Sequence, residues 1–185
     1  MQIYNKEQAL KNKKQLLEKI AVGAVFIYPT DTIYGIGCDA TNPAAVKIIR
    51  DLKQSDNKPF SVIASGFEWI SNNCKLSAIA KKWLLKLPGP YTLILPLKNL
   101  NAVCSATVNG LNSVGVRIPK HWISKFVQDL GKPIVTTSVN ISGEQNAMNL
   151  EQLQKFAVDF IIYEGEKAGK PSIVVDLRSG ERRLR

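Results

Sequence analysis

Short apolar runs alternate with amphipathic segments along the whole chain, and this alternation limits the possible folds more than any single motif does. Runs rich in β-branched and aromatic residues predict strands, whereas apolar residues spaced three and four apart predict helices. Strands are predicted over residues 24–28, 60–64, 91–97, 113–119, 133–139, 160–164 and 172–177. Helices are predicted over residues 5–23, 42–52, 77–87, 122–130 and 150–156. Because the two kinds of element interleave, we expect an α/β or α+β fold, a single domain over residues 1–185 with one mixed sheet.

The segment FIYPTDTIYGIGCDA, residues 26–40, places polar residues directly after the first predicted strand. Pro29 has no backbone N–H and fixes its own φ angle, so the strand is expected to end there. Two threonines, an aspartate and two glycines follow, and α/β proteins commonly bind small ligands at such strand ends. An ordinary polar turn explains the same residues, so both interpretations remain open from this segment alone.

The loose pattern G-x-G-x-x-A, residues 35–40, also occurs in dinucleotide-binding proteins, but its context here differs. A dinucleotide site requires a helix that starts within the glycines and a carboxylate at the end of the next strand. Here the next helix is predicted to start at Asn42, and the next strand ends in Ala64, Ser65 and Gly66. The sequence also contains no G-x-x-x-x-G-K-[ST] phosphate loop and no G-x-S-x-G nucleophile motif.

The composition argues against several classes of site. The cysteines, Cys38, Cys74 and Cys104, are odd in number and widely spaced, which predicts free thiols rather than a disulfide framework or a zinc site. The single histidine, His121, excludes a histidine-rich metal centre, and no metal-binding residues are predicted. The formal net charge of +10 favours anionic partners such as nucleotides, RNA or an acidic surface, although a solvated lysine-rich face would give the same charge.

The chain has the composition of a globular protein, with 45% apolar and 22% charged residues. No apolar run approaches the roughly 20 residues that a membrane-spanning helix needs. The N-terminal segment MQIYNKEQALKNKK lacks the apolar centre of a signal peptide. We therefore expect a cytoplasmic protein that does not associate with a membrane.

Two sets of polar residues recur at strand ends and in loops. The hydroxyl-bearing set is Thr30, Thr32, Ser138 and Ser172, and the cationic set is Lys53, Lys58, Arg117 and Arg185. Each residue alone has an ordinary explanation, such as a turn, a buried strand or a surface ion pair. Together the sets favour a site that holds anions and aligns reactants, with catalysis by positioning and charge stabilisation rather than by an activated nucleophile.

Six segments of the chain resemble, in order, the motifs of the YrdC/TsaC threonylcarbamoyl-AMP synthases. They are PTDTIYGIGCDA, LKQSDNKPFSVIA, LPGPYTLILP, VGVRIP, TTSVNISGE and PSIVVD, and they cover nearly the whole chain from about residue 20. The resemblance implies a twisted mixed sheet with flanking helices around a wide basic groove. It also implies the conversion of L-threonine, bicarbonate and ATP to L-threonylcarbamoyl-adenylate and pyrophosphate.

The resemblance also assigns residues to the two halves of such a site. The residues expected to bind L-threonine are Thr32, Arg117, Ser138 and Ser172. The residues expected to bind ATP are Lys53, Ser55, Lys58, Ser113, Asn140 and Arg185, with Mg²⁺ as the expected companion of ATP. Catalysis is expected to depend on Lys53, Arg117 and Asn140. The basic loop of the family usually reads K-x-R, and Ser55 stands in place of that arginine.

In this family the adenylate supplies threonylcarbamoylation of an adenosine beside the tRNA anticodon. The expected partners are therefore a tRNA-modification transfer complex and, by direct contact, tRNA or other RNA. One alternative is a non-catalytic module that binds double-stranded RNA or tRNA, but only 8% of the residues are aromatic, and most of these fall at predicted core positions, where they cannot stack on bases. Another alternative is the carbamoyl-transfer module of hydrogenase-maturation proteins, against which the lack of an acylphosphatase or zinc segment argues.

Overall fold

The computed structural model describes residues 1–54 and 58–179, and the backbone of residues 183–184. Its strands are β1 (Gln2–Tyr4), β2 (Phe26–Tyr28), β3 (Gly35–Gly37), β4 (Ser61–Ile63), β5 (Tyr91–Pro96), β6 (Ser113–Arg117), β7 (Ile134–Ser138), β8 (Phe160–Ile162), β9 (Ile173–Asp176) and β10 (Arg183–Leu184). Its helices are α1 (Lys6–Lys11), α2 (Lys13–Ala21), α3 (Pro43–Lys53), α4 (Phe67–Asn73), α5 (Ala78–Leu84), α6 (Ser105–Val108), α7 (Ile123–Leu130) and α8 (Leu150–Leu153). None of these helices combines the length and apolar character needed to cross a bilayer.

The strands form one mixed sheet, which confirms the predicted fold class. Their order is β1-β8-β2-β3-β7-β4-β6-β5-β9-β10 within the described residues. Both orientations occur, since β2 pairs antiparallel with β3 and parallel with β8. The sheet therefore brings together strands that are far apart in the chain, and the polar strand ends come with them.

Capping side chains fix where the first helix begins. The side chain of Asn5 accepts the Gln8 N–H at 2.8 Å, and the Gln8 side chain accepts the Asn5 N–H at 2.9 Å, which forms a capping box. The predicted helix does not continue unbroken to Gly23, because Asn12 separates α1 from α2. The Asn12 side chain donates to the Gln8 carbonyl oxygen at 2.8 Å, and this local bond competes with regular helical hydrogen bonding.

Helix α3 extends further into the basic loop than the sequence predicts. Asn42 caps it by accepting from two N–H groups of the first turn, and Pro43 occupies the first helical position. Lys53 and Gln54 are polar and follow the last apolar residue, Leu52, so the end of the helix is difficult to place from the sequence. In the structure the helix continues to Lys53, which is buried on the same face as Arg50. Lys53 is therefore held by a helix rather than by a loop.

The two glycines of the polar segment lie in a strand rather than in a turn. β3 runs back along β2, with Ile36 opposite Ile27, and residues 29–34 connect the two strands. A Cβ atom at Gly37 would lie 2.2 Å from the carbonyl oxygen of Val135, so the close approach of β7 requires glycine. Residues 35–37 form a strand, and the next helix of the described residues starts only at Pro43. The turn of a dinucleotide-binding site is therefore not formed here.

The central strands separate two apolar cores on opposite faces of the sheet. In β6, Val114 and Val116 belong to the larger core, to which helices α3, α4 and α5 contribute. Helices α2 and α7 contribute to the smaller core on the other face. By the two-residue period of a strand, Ser113, Gly115 and Arg117 share the face of the smaller core. That face is apolar beneath the two helices and carries polar side chains beyond them.

Candidate active site

Two adjoining cavities, of about 220 Å³ and about 210 Å³, open beside the sheet. Eleven residues line the first cavity but not the second: Thr30, Ile33, Tyr34, Gly35, Ser61, Thr92, Arg117, Thr136, Pro171, Ser172 and Val174. The residues that line the second cavity but not the first are Lys53, Lys58, Asn140, Ser142 and Gly143. Pro59, Phe60, Thr137 and Ser138 line both cavities. The two cavities therefore adjoin and share a wall.

The strand period explains why hydroxyl groups converge on the first cavity. On β7, Thr136 and Ser138 alternate with Val135, which belongs to the larger core on the opposite face. In the sheet, Ser138 lies opposite Gly35 on β3, and Thr136 lies opposite Ser61 on β4. Neighbouring strands therefore place small and hydroxyl-bearing residues side by side on one face, where a ligand can approach the sheet.

Arg117 is the buried cation of the first cavity, with 6% of its side chain exposed. Its Nη2 donates to Asp31 Oδ1 at 2.7 Å and to the Thr32 hydroxyl at 3.3 Å. Burial lowers the pKa of Arg117, and the negative charge of Asp31 opposes this effect. The buried Nε has no hydrogen-bond partner among the described residues. Arg117 also lines the first cavity, and a guanidinium at a cavity wall is suited to bind the carboxylate of a ligand.

Thr32 contacts Arg117 but is not among the residues that line the two cavities. Its neighbour Thr30 lines the first cavity instead and is 1% exposed. Thr30 Oγ1 donates to the Ile33 carbonyl oxygen at 2.6 Å and lies 3.0 Å from Thr32 Oγ1. Thr32, the threonine predicted to bind the substrate, is therefore linked to Thr30, which lines the cavity in its place. The two hydroxyls also hold the loop between β2 and β3.

The other predicted residues are placed unequally. Ser172 lines the first cavity, where its Oγ lies 2.8 Å from Thr92 Oγ1. Lys58 and Asn140 line the second cavity. Ser113 is buried at the start of β6 and lines neither cavity. The remaining two predicted residues, Ser55 and Arg185, lie outside the described residues.

Lys53 fixes the end of β7 with all three of its N–H donors. Its Nζ donates to the carbonyl oxygens of Ser138 at 2.6 Å and Asn140 at 2.9 Å, and to Asn140 Oδ1 at 2.9 Å. The Ser138 hydroxyl also donates to Asn140 Oδ1 at 2.6 Å. Burial, assisted by the positive charge of Lys58, lowers the pKa of Lys53 to about 8. Lys53 therefore brings positive charge to the second cavity and also holds the backbone that separates the two halves of the site.

A segment that follows β8 closes one side of the first cavity. The Tyr34 hydroxyl donates to the Gly165 carbonyl oxygen at 2.7 Å and accepts the Glu164 N–H at 2.9 Å. The Glu164 carboxylate contacts His121 Nε2 at 2.9 Å and accepts the indole N–H of Trp122. Burial raises the pKa of Tyr34 to about 12, so its hydroxyl remains a donor at neutral pH. These bonds fix the chain shortly before Pro171 and Ser172 enter the cavity wall.

Sequence reasoning did not single out several residues of this site. Asp31 belongs to the polar segment that the sequence indicated, but its role as the partner of the buried Arg117 was not predicted. Thr92 and Thr136 carry a weaker signal, a hydroxyl group at one position of an otherwise apolar strand. Tyr34 carries no such signal, because a tyrosine next to a glycine is equally common in an apolar core.

The described residues contain no cluster of three or more histidine, cysteine or carboxylate side chains suited to a metal ion. The lining of the second cavity, in particular, includes no carboxylate.

Comparison with solved structures agrees with this description. The structure of P. abyssi Sua5 complexed with L-threonine superposes with a TM-score of 0.87 at 28% identity, over 99% of this chain and 56% of that one. The chain thus spans about half the length of that protein. E. coli YciO superposes with a TM-score of 0.86 at 24% identity, over 99% of this chain and 93% of that one, which shows the shared fold.

Comparison of sequences shows the family. The threonylcarbamoyl-AMP synthase of Vibrio campbellii is 32% identical over 183 residues, which cover 93% of this chain and 97% of that protein. The family model Sua5/YciO/YrdC, described as "Telomere recombination", matches residues 18–185. The six motifs of the sequence all fall within the matched range. The chain is therefore a member of the Sua5/YciO/YrdC family.

Proposed function

We propose that this protein is an L-threonylcarbamoyl-adenylate synthase that uses L-threonine, bicarbonate and ATP and releases pyrophosphate. The observation that carries the proposal is the pair of cavities with the shared wall of residues 59–60 and 137–138. One cavity presents a buried arginine among hydroxyl groups, and the other presents two lysines. Such a pair suits an amino acid and a nucleoside triphosphate bound side by side. Relatives named threonylcarbamoyl-AMP synthase support the same activity.

L-Threonine is assigned to the first cavity. The guanidinium of Arg117 lines this cavity and is placed to bind the amino-acid carboxylate, and charge-assisted bonds of this kind are strong. The hydroxyls of Ser138 and Ser172 are available to the polar groups of the substrate. Thr32 acts here through Arg117, since its hydroxyl accepts from the guanidinium. The solved complex of P. abyssi Sua5 with L-threonine supports this assignment.

ATP is assigned to the second cavity, where Lys53 and Lys58 supply positive charge for the phosphates. Asn140 lines the same cavity, and its side-chain oxygen is held by Lys53 and Ser138. The remaining members of this half, Ser55, Ser113 and Arg185, are assigned by their motif positions alone. Mg²⁺ would enter as the counter-ion of the triphosphate, because the described residues that line this cavity include no carboxylate.

The proposed reaction depends on alignment of the substrates rather than on an enzyme nucleophile. The amine of threonine and bicarbonate form a carbamate with loss of water. A carbamate oxygen then attacks the α-phosphorus of ATP, and the bond from that phosphorus to pyrophosphate breaks. Arg117 orients the carbamate, Lys53 offsets the charge of the leaving pyrophosphate, and Asn140 keeps Lys53 in place.

We further propose that the adenylate is passed to a tRNA-modification complex in the cytoplasm, where its threonylcarbamoyl group is transferred to an adenosine of tRNA. The net charge of +10 supports contact with tRNA, because excess positive charge attracts nucleic acid. A salt-sensitive association with tRNA is the simplest sign of such a contact.

Incubation of the full chain with L-threonine, bicarbonate and MgATP tests the proposed function. We expect pyrophosphate release that requires both L-threonine and bicarbonate, together with a product of the mass of L-threonylcarbamoyl-adenylate. Reactions without L-threonine serve as the control for simple ATP hydrolysis. Folded protein that retains RNA but releases no pyrophosphate would overturn the proposal and favour the RNA-binding module.

A further inference from the structure

Helix α3 carries two buried cations on one face, Arg50 and Lys53, a single turn apart. Lys53 reaches the Ser138–Asn140 backbone, which forms one side of the second cavity. Burial of a cation costs free energy unless its N–H donors have acceptors, so the buried guanidinium of Arg50 also needs hydrogen-bond partners. The apolar period of the helix does not explain why a guanidinium is placed there.

The Arg50 guanidinium is directed at the other side of the same cavity. Its Nη1 donates to the carbonyl oxygen of Lys58 at 3.1 Å. Its Nε and Nη2 both donate to the carbonyl oxygen of Ala106, at 3.1 Å and 2.6 Å. The guanidinium carbon also lies 4.4 Å from the centre of the Phe60 ring. Arg50 therefore ties residues 58–60 to α3 and to α6 at the same time.

Residues 58–60 form a wall of the site whose position depends on these contacts. Lys58 lines the second cavity, and Pro59 and Phe60 line both cavities. The Phe60 N–H donates to the Thr107 carbonyl oxygen at 2.8 Å, one residue beyond the acceptor of Arg50. The wall precedes β4 and is not itself part of a strand, so its position is defined by these contacts with α3 and α6 and not by sheet pairing.

We propose that Arg50 is a positioning residue for the nucleotide half of the site, which holds the wall of residues 58–60 so that Lys58 faces the second cavity. Arg50 acts on this wall as Lys53 acts on the Ser138–Asn140 backbone, and both start from one face of α3. The identity of the ligand rests on the proposed function, whereas the effect of Arg50 on the wall does not. Arginine is required because only a planar fork bonds two carbonyl oxygens and stacks on a ring at once.

The variant Arg50→Lys tests the proposal, because it keeps the charge and removes the fork. For a non-hydrolysable MgATP analogue, we expect the dissociation constant measured by calorimetry to rise about tenfold. In a Lys58→Ala background the same change should have an effect of less than about twofold, since Arg50 acts through Lys58. Lys47→Ala is the matched control on the exposed side of α3 and should leave the affinity unchanged, because Lys47 is 75% exposed.

Hydrogen exchange of the Phe60 amide without nucleotide provides a second measurement that does not depend on the activity. We expect faster exchange in Arg50→Lys than in the wild type, with no change in Lys47→Ala. Unchanged exchange, or an equal loss of nucleotide affinity with and without the Lys58 side chain, would overturn the proposal. If the wild type binds no nucleotide, the proposed function fails, and the exchange rates still decide whether Arg50 holds the wall.

Discussion

Arg117 and Asp31 form a buried ion pair in which the carboxylate has more of its hydrogen-bonding capacity satisfied than the guanidinium. Asp31 accepts Arg117 Nη2 on Oδ1 at 2.7 Å and the Lys120 N–H on Oδ2 at 2.9 Å. Arg117 Nε, in contrast, has no partner among the described residues. Buried ion pairs contribute little net stability, because the desolvation of both charges offsets their attraction. The pair is therefore better explained as a prepared binding group than as a stabilising contact.

The variant Arg117→Lys should weaken L-threonine binding by at least about tenfold, because an ammonium cannot replace the guanidinium fork. Affinity for the ATP analogue should change by less than about twofold, since the second cavity does not contain Arg117. Calorimetric titration with each ligand measures both effects. Lys120→Met is the matched control, because it removes a nearby charge and keeps the fork. Equal losses of L-threonine affinity in the two variants would contradict a directional role for Arg117.

Lys53 should make nucleotide affinity depend on pH in a defined direction. Its pKa is lowered to about 8, mainly by burial, and the charged form is the one that attracts phosphate. Bound nucleotide therefore raises this pKa, so affinity should be constant below pH 8 and fall by up to about tenfold per pH unit above it. In Lys53→Arg the fall should disappear, since arginine stays protonated in this range. A wild-type profile that is flat up to pH 9.5, as measured by calorimetry, would contradict this role.

The same titration should affect stability with the opposite sign. The unfolded chain holds the Lys53 proton up to its ordinary pKa of 10.5, whereas the folded chain releases it near pH 8. Between these values the unfolded state binds more protons, so this group makes the free energy of unfolding rise with pH. Affinity and stability should thus move in opposite directions, which separates loss of a ligand contact from loss of the fold.

At the scale of elements, the segment 163–172 is a strap that connects β8 to β9 across the first cavity. Tyr34 and Tyr163 stack at its start, with ring centres 5.8 Å apart. Near its end, Gly169 passes so close to the loop between β2 and β3 that a Cβ atom there would lie 2.2 Å from the Thr32 carbonyl oxygen. The strap delivers Ser172 to the cavity, so its path sets the position of that hydroxyl.

The variant Gly169→Ala should displace the strap, because a backbone carbonyl cannot move aside as a flexible side chain can. We expect a destabilisation of about 1–3 kcal/mol, the usual cost of an added methyl group in a packed place. L-Threonine affinity should also fall, since Ser172 shifts away from Arg117 and Ser138. Thermal unfolding and calorimetric titration measure the two effects. Lys170→Ala, an exposed neighbour, is the control and should change neither quantity.

The elements that sequence reasoning found are those whose ends carry a chemical signal. Asn5 and Asn42 begin helices by side-chain capping, which local sequence is sufficient to show. β3 was not found, because Gly35 and Gly37 disfavour a strand unless a neighbouring chain requires their small size. That requirement comes from Val135 on β7, which is far away in sequence. The short elements α4 and α6 were not found either, because a few residues show little periodicity.

At the scale of the whole molecule, the sequence could indicate the members of the site but not their partners. Arg117 and Ser138 could be predicted to meet, because polar residues at neighbouring strand ends share one edge of a sheet. Arg50 could not, since a cation in an amphipathic helix ordinarily faces solvent, and only the folded chain shows Lys58 and Phe60 beside it. Contacts that depend on two loops and a helix together have no local signature.

The shared wall also predicts that the two ligands bind cooperatively. Phe60 lines both cavities, so a ligand that shifts its ring in one cavity also changes the wall that the other ligand contacts. We expect the ATP analogue to tighten L-threonine binding about fivefold, and L-threonine to tighten analogue binding by the same factor, because coupling is reciprocal. Phe60→Leu should reduce both factors equally, whereas Phe67→Leu, at a ring that is 48% exposed on α4, should leave them unchanged. Calorimetric titrations of each ligand with and without the other measure the factor. Independent binding in the wild type would show that the wall is rigid and that the two cavities, although adjacent, act as separate sites.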